Sequence, residues 1–319
     1  MHFDVFNGDA DGICSLLQLR LEAPLDSELV TGVKRDISLL KKVSARSGDS
    51  VTVLDVSMAK NQEALLGLLQ AGVEVDYVDH HDPGDIPDHA LLTHTISEAP
   101  EVCTALLVNA RLRGRHVDWA VVGAFGDNLH GPAHTLAQKS GYSARYTAHL
   151  ERLGACVNYN GYGPTLDDLH FAPDALYRLL YSAQTPSDFG QSDAFIALST
   201  GYDEDLAASA QLTPHLERAG FAVYHLPNAP WARRVSGVFS NRLANAHPDR
   251  AHAVLTDQGD EHFLVSVRAP LADRRGALAV CRQFESGGGR EAAAGINRLP
   301  HHELDRLIEA MAAQYDGRR

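Results

Sequence analysis

The sequence predicts an α/β protein: a parallel sheet with helices on both faces over residues 1–185, linking helices over 186–219, and a smaller α/β domain over 220–319. Three observations carry that expectation. Short apolar runs at Phe3–Phe6, Val51–Leu54 and Val73–Val78 alternate with segments whose apolar residues recur at helical spacing, such as Ile13, Leu16, Leu17 and Leu21. That alternation belongs to parallel sheets wrapped by helices. At 319 residues the chain is also long for a single hydrophobic core. Finally, its charge is divided: residues 221–319 carry 13 basic side chains, all arginine, against 11 acidic, whereas the preceding 220 carry 15 against 30.

Taken in order, Phe3-Asp4-Val5-Phe6 reads as a strand running into Asn7-Gly8-Asp9-Ala10-Asp11-Gly12 and then a helix. Asp9 and Asp11, two apart on a strand-to-helix turn, can present both carboxylates to one cation site. A calcium loop of the helix-loop-helix type is excluded, because its twelfth position is Gln18 rather than Glu and a strand precedes it. A second strand is expected at Leu29–Val33 and an amphipathic helix at Ile37–Val43. The third strand is expected at Val51–Ser57, its interior ending in Asp55. A leucine-rich helix then closes at Ala71-Gly72, and the Val73–Val78 strand ends in Asp79-His80-His81 before breaking at Asp82-Pro83-Gly84. The apolar run Val117–Phe125, read as another strand, leads to Gly126-Asp127. Open parallel sheets gather ligands at the carboxyl ends of their strands, which is where these acidic residues fall. Oxygen and imidazole donors without thiolate suit Mn²⁺ or Mg²⁺ rather than a structural zinc cage.

The run Asn158-Tyr159-Asn160-Gly161-Tyr162-Gly163 reads as a surface turn, with base stacking by a tyrosine as its functional alternative. In the C-terminal part, strands are expected at Phe221–Leu226, Ala251–Leu255 and Phe263–Val267. There Ser286-Gly287-Gly288-Gly289-Arg290 precedes the small-residue segment Glu291–Gly295, read as a helix. Backbone amides at such a terminus, with Arg268 and Arg290 beside them, suit a phosphate.

Bulk properties narrow the classes. The four cysteines form no C-x-x-C pair, which argues against a disulfide framework or thiolate metal site. No basic-then-apolar leader is visible and no apolar run approaches a membrane span, so the expectation is a cytoplasmic protein with no membrane partner. The acidic body disfavours long-range capture of a phosphate backbone.

Together, D-x-D at Asp9/Asp11, the strand-end Asp55, D-H-H at Asp79-His80-His81, G-D at Gly126-Asp127 and the C-terminal GGGR…AAG stretch resemble the DHH phosphoesterase superfamily, with its RecJ-like nucleases and nanoRNA or cyclic-dinucleotide phosphodiesterases. The resemblance covers nearly the whole chain. It implies two divalent cations, Mn²⁺ before Mg²⁺: Asp9 and Asp55 on one, Asp11, Asp55, His80 and Asp127 on the other, with Asp55 bridging. Asp79 would orient the site from behind, and His81 would face the scissile phosphate. Arg268, Gly288, Gly289 and Arg290 would bind substrate. Two departures bear on this. Val5 stands where many members carry histidine and Asn7 where RecJ-like members carry an acid, which leaves the first cation to be completed by Asn7 or water. The glycine run ends in Arg290 where many relatives have histidine.

The implied activity is metal-dependent hydrolysis of phosphodiester bonds in short oligonucleotides or (cyclic) dinucleotides. The rivals are a RecJ-like single-strand exonuclease, an inorganic pyrophosphatase and a non-catalytic nucleotide-binding regulatory module. A homodimer is the assembly that family relatives suggest.

Overall fold

The computed structural model describes residues 1–317, and the chain falls into two compact units, Met1–Thr200 and Gly201–Arg319. The first unit opens with β1 (His2–Phe6), α1 (Ala10–Glu22) and β2 (Glu28–Val30), followed by β3 (Ser50–Leu54), α2 (Met58–Gln70), β4 (Glu74–Asp79) and β5 (Leu92–Ile96). These strands form one fully parallel sheet in the order β2-β1-β3-β4-β5. The chain leaves β1 toward one edge and returns on its other side at β3. The crevice at the carboxyl ends of β1 and β3 is therefore the switch point where such sheets bind ligands.

The strands form because their residues can be buried on both faces. Phe3, Val5, Val51, Val53, Val75 and Tyr77 pack with Leu65, Leu68 and Leu69 of α2 and with Leu39 and Leu40 of a short 3-10 turn, Leu39–Lys42. The expected helix at 37–43 is thus this single tight turn, and the second strand is shorter than expected. On the opposite face, α1 buries Ile13, Leu16 and Leu17 against the sheet. β5 was not expected. Its sequence, Leu-Thr-His-Thr-Ile, is that of a half-solvated edge strand, with alternation too polar to register as a buried run.

Further helices complete the unit: α3 (Thr104–Arg111), α4 (Val117–Gly126), α5 (His130–Lys139), α6 (Ala144–Asn160), α7 (Pro173–Ala183), α8 (Pro186–Phe189) and α9 (Asp193–Ala210), the last running on past residue 200. The strand read at Val117–Phe125 is therefore the helix α4. Every residue from Trp119 to Gly126 is buried, so no polar face marks a helical period. α4 lies tightly between α1 and α6. A Cβ on Gly126 would stand 2.3 Å from Ala10 Cβ, and one on Gly154 2.4 Å from Val122 O.

The second unit contains β6 (Leu216–Glu217), β7 (Phe221–Leu226), α10 (Pro230–Ala246), β8 (Ala251–Asp257), β9 (His262–Arg268), α11 (Ala277–Cys281), β10 (Gly287–Gly289), β11 (Ala293–Pro300) and α12 (Leu304–Tyr315). Its sheet runs β10-β11-β9-β8-β7-β6, with only β7 and β8 parallel. Phe221, Leu255, Val265, Ile296, Leu307 and Met311 belong to its core. The glycine run does not precede a helix. Gly287–Gly289 pair antiparallel with Ala294–Ile296 as a hairpin, because Ala293–Pro300 is recruited as a strand beside β9. Local sequence there, rich in glycine and alanine, has no strand preference of its own, and the pairing with β9 decides the outcome.

Candidate metal centre

Four chain segments deliver carboxylates and imidazoles to the switch point. Asp9 caps α1: its Oδ1 accepts the amides of Asp11 and Gly12, both at 3.1 Å. Asp11, the second residue of α1, is held across the helix interface by the amides of Thr104 (2.9 Å to Oδ2) and Ala105 (2.7 Å to Oδ1) at the start of α3. Asp55 immediately follows β3 with φ at +59°, a left-handed backbone that a non-glycine residue rarely adopts, and its side chain is buried. Such strain in a buried ionisable residue concentrates at functional sites. Asp127 follows the last turn of α4, not a strand as the sequence suggests, and the close approach at Gly126 sets its distance from α1.

These groups converge on one nitrogen. His80 Nε2 stands 3.4 Å from Asp55 Oδ1, 3.8 Å from Asp11 Oδ2 and 3.9 Å from Asp127 Oδ2. These separations are longer than good hydrogen bonds. They suit neighbouring ligands that would hold one cation between them. His80 Nδ1 lies 3.1 Å from the Val102 carbonyl. With its proton on Nδ1 donated there, the imidazole presents Nε2 as a lone pair to the carboxylates, the arrangement that ligating histidines adopt. Among the described residues, two sets of donor atoms lie close enough to share an ion, Asp55/His80/His81 and Asp11/His80/Asp127, and Asp9 joins neither.

His81 places Nδ1 2.8 Å from Asp79 Oδ1, and its pKa is raised: burial acts against the charge, and the Asp79 hydrogen bond outweighs it. Asp79 Oδ2 and Asn7 Oδ1 are buried with no partner among the described residues. Burial pushes Asp55 well above the ordinary carboxylate range, and the neighbouring Asp11 and Asp9 add to it. Asp127 is pushed up to about 6 by burial first and Asp11 second. So many buried carboxylates with so few counter-charges are costly unless a cation joins them. Carboxylate oxygens and imidazole nitrogens fit Mn²⁺ or Mg²⁺.

Several residues in and around the centre escaped the sequence reading. Lys34, in the loop after β2, reaches Asp9 Oδ2 at 2.6 Å and Asn158 Oδ1 at 3.2 Å. Thr104 places its hydroxyl 3.3 Å from Asp55 Oδ1. The tyrosine run at 158–163, read as a surface turn, is the buried end of α6: Tyr159 is fully buried and bonded to His170, and Tyr162 lies under the Lys34 ammonium, 5.3 Å from its ring centre. The density of Asn, Tyr and Gly there was the available signal. Cys14 and Cys103 sit beside Asp11 as buried thiols, their pKa values raised well above normal by burial and by that carboxylate.

In the second unit, Arg268 ends β9 with Nε 2.8 Å from Asn241 Oδ1 and Nη1 2.9 Å from Ser266 Oγ. Ala293 pairs opposite it, so the hairpin carrying Gly288, Gly289 and exposed Arg290 lies on the adjoining strands. A Cβ on Gly287 would meet Cys281 O at 1.7 Å and one on Gly289 would meet Ala294 Cα at 2.5 Å, whereas Gly288 faces open space.

No protein-family model and no curated protein matches the chain. Among solved structures, exonuclease RecJ bound to manganese aligns at 20% identity over 98% of this chain and 89% of that one, with a TM-score of 0.61. RecJ from Thermus thermophilus in complex with Mn²⁺ aligns at 20% over 98% of this chain and 51% of that one, at 0.65. The pGpG-specific phosphodiesterase PggH from Vibrio cholerae aligns at 14% over 98% of both chains, at 0.56. At these identities the likeness is one of fold, and the fold is the two-domain α/β architecture expected from the sequence. Among the described residues, no helix is long and apolar enough to cross a membrane.

Proposed function

We propose that this chain is a divalent-cation-dependent phosphodiesterase acting on short oligonucleotides or (cyclic) dinucleotides. The observation that carries the reading is the convergence of Asp11, Asp55 and Asp127 on His80 Nε2, with Nδ1 held by a backbone carbonyl. These four residues are assigned as ligands for Mn²⁺, with Mg²⁺ as the alternative. A cation there supplies Lewis acidity, making water nucleophilic near neutral pH and offsetting charge on the phosphoryl oxygens. A second cation on Asp9 and Asp55, the pair implied by the resemblance, would have to contend with Lys34.

The chain's own groups do the rest. His81, held by Asp79 in an orientation that favours its protonated form, is assigned to donate a hydrogen bond to a phosphoryl or leaving oxygen. Thr104 and the amides of α3 fix the carboxylates against their mutual repulsion. Arg268, Gly288, Gly289 and Arg290 are assigned to a terminal phosphate, a role that suits forked guanidinium donors.

Short substrates are favoured over long single strands because the acidic excess lies in residues 1–220, which include all the proposed metal ligands. The fold shared end to end with a pGpG phosphodiesterase supports the same choice. The test assays pApA, short RNA, cyclic dinucleotides, single-stranded DNA and pyrophosphate side by side with Mn²⁺. Turnover fastest on dinucleotides is the expected outcome. Preference for long DNA would favour the exonuclease, and bound Mn²⁺ without any turnover would favour the regulatory module.

A further inference from the structure

Lys34 is a built part of the centre. Its backbone amide is tied to the Gly161 carbonyl at 2.9 Å, its ammonium donates to Asp9 and Asn158, and the Tyr162 ring lies below it. Asp9 is thereby engaged at both oxygens: Oδ1 takes two amide protons and Oδ2 takes a charge-assisted bond at 2.6 Å. Asp11 differs, because each of its oxygens accepts one neutral amide and neither pairs with a lysine or arginine cation among the described residues. Val5, at the position where the resemblance places histidine in many members, is buried in the apolar core, and Asn7 stands where RecJ-like members carry an acid. Asp9 also stays outside both donor groups that could share an ion.

We infer that the Lys34 ammonium takes the place of one divalent cation, so that the centre works with a single metal ion on Asp11, Asp55, His80 and Asp127 and a fixed side-chain cation on Asp9. The inference rests on the phosphodiesterase reading only for the identity of the metal ligands. An ammonium has three donors, and Asp9 and Asn158 account for two, so the third is available for a phosphoryl oxygen. A dication at Asp9 would face a full positive charge at bonding distance from the same carboxylate oxygen, a repulsion that neutral amides do not impose.

The test is the stoichiometry and electronic state of bound Mn²⁺, by calorimetry and electron paramagnetic resonance on the full chain. The wild type is expected to bind one ion per chain, with the resolved hyperfine signal of isolated Mn²⁺. Lys34→Met, which keeps length and removes charge, is expected to bind two with an exchange-coupled signal, and Lys34→Arg is expected to remain at one. Two coupled ions in the wild type would overturn the inference while leaving the phosphodiesterase reading intact, and that measurement needs no variant. A well-folded Lys34→Met still holding one ion would overturn it as well. A wild type that binds no Mn²⁺ would remove both.

Discussion

Asp55 combines three unfavourable features in one residue: a left-handed backbone, near-complete burial and like-charged neighbours. Asparagine tolerates that backbone better than most residues and carries no charge. Asp55→Asn is therefore expected to abolish turnover, by about a thousandfold or more, while raising the melting temperature of the metal-free protein. Calorimetry in EDTA checks this, and a lower melting temperature would contradict the account of burial. The same carboxylates set a pH dependence. A carboxyl raised to about 6 in the folded state, as at Asp127, contributes stability below its unfolded value near 3.8 and loses it as pH rises through 6. A cation needs that group deprotonated. Mn²⁺ affinity should thus fall by about tenfold per pH unit per displaced proton below pH 6, and the rise in melting temperature on adding Mn²⁺ should be larger at pH 7.5 than at pH 5. Most of the proposed ligands were legible because each follows an abrupt end of an apolar run. Lys34 was not, since one lysine in a loop between weak elements carries no pattern, and only the fold brings it to Asp9.

At the scale of elements, the strands of the first sheet other than β5 announced themselves through short, largely apolar segments, while α4 and the glycine hairpin did not. α4 is apolar all round, so its 3.6-residue period is invisible, and its helicity follows from being wedged between α1 and α6. The hairpin consists of residues without strand preference and exists because β9 offers it an edge. It also offers a clean probe. An added methyl at Gly288 has open space, unlike at Gly287 or Gly289. Gly288→Ala is accordingly expected to leave the melting temperature within about 1 °C, a surface-like substitution, and to raise KM for dinucleotides with kcat little changed, as loss of uniform substrate binding does. An unchanged KM would remove the hairpin from the phosphate grip.

For the whole molecule, the division of charge between an acidic first part and an arginine-bearing second part supports the proposed preference for short substrates. A protein that tracks a long strand releases many counterions and weakens steeply with salt, whereas one that grips a terminal phosphate releases few. Between about 50 and 200 mM salt, kcat/KM for a dinucleotide is expected to change by less than about tenfold. A loss of several orders of magnitude would indicate an extended track. The bend at Asp55 carries one more implication, for descent rather than for chemistry. Aspartate and asparagine codons differ by a single base, and asparagine fits that corner of the backbone at least as well. On the proposed function, a lineage with this architecture can therefore shed hydrolysis in one mutational step and keep its shape, ready to be retained as a sensor of the molecules it once cleaved.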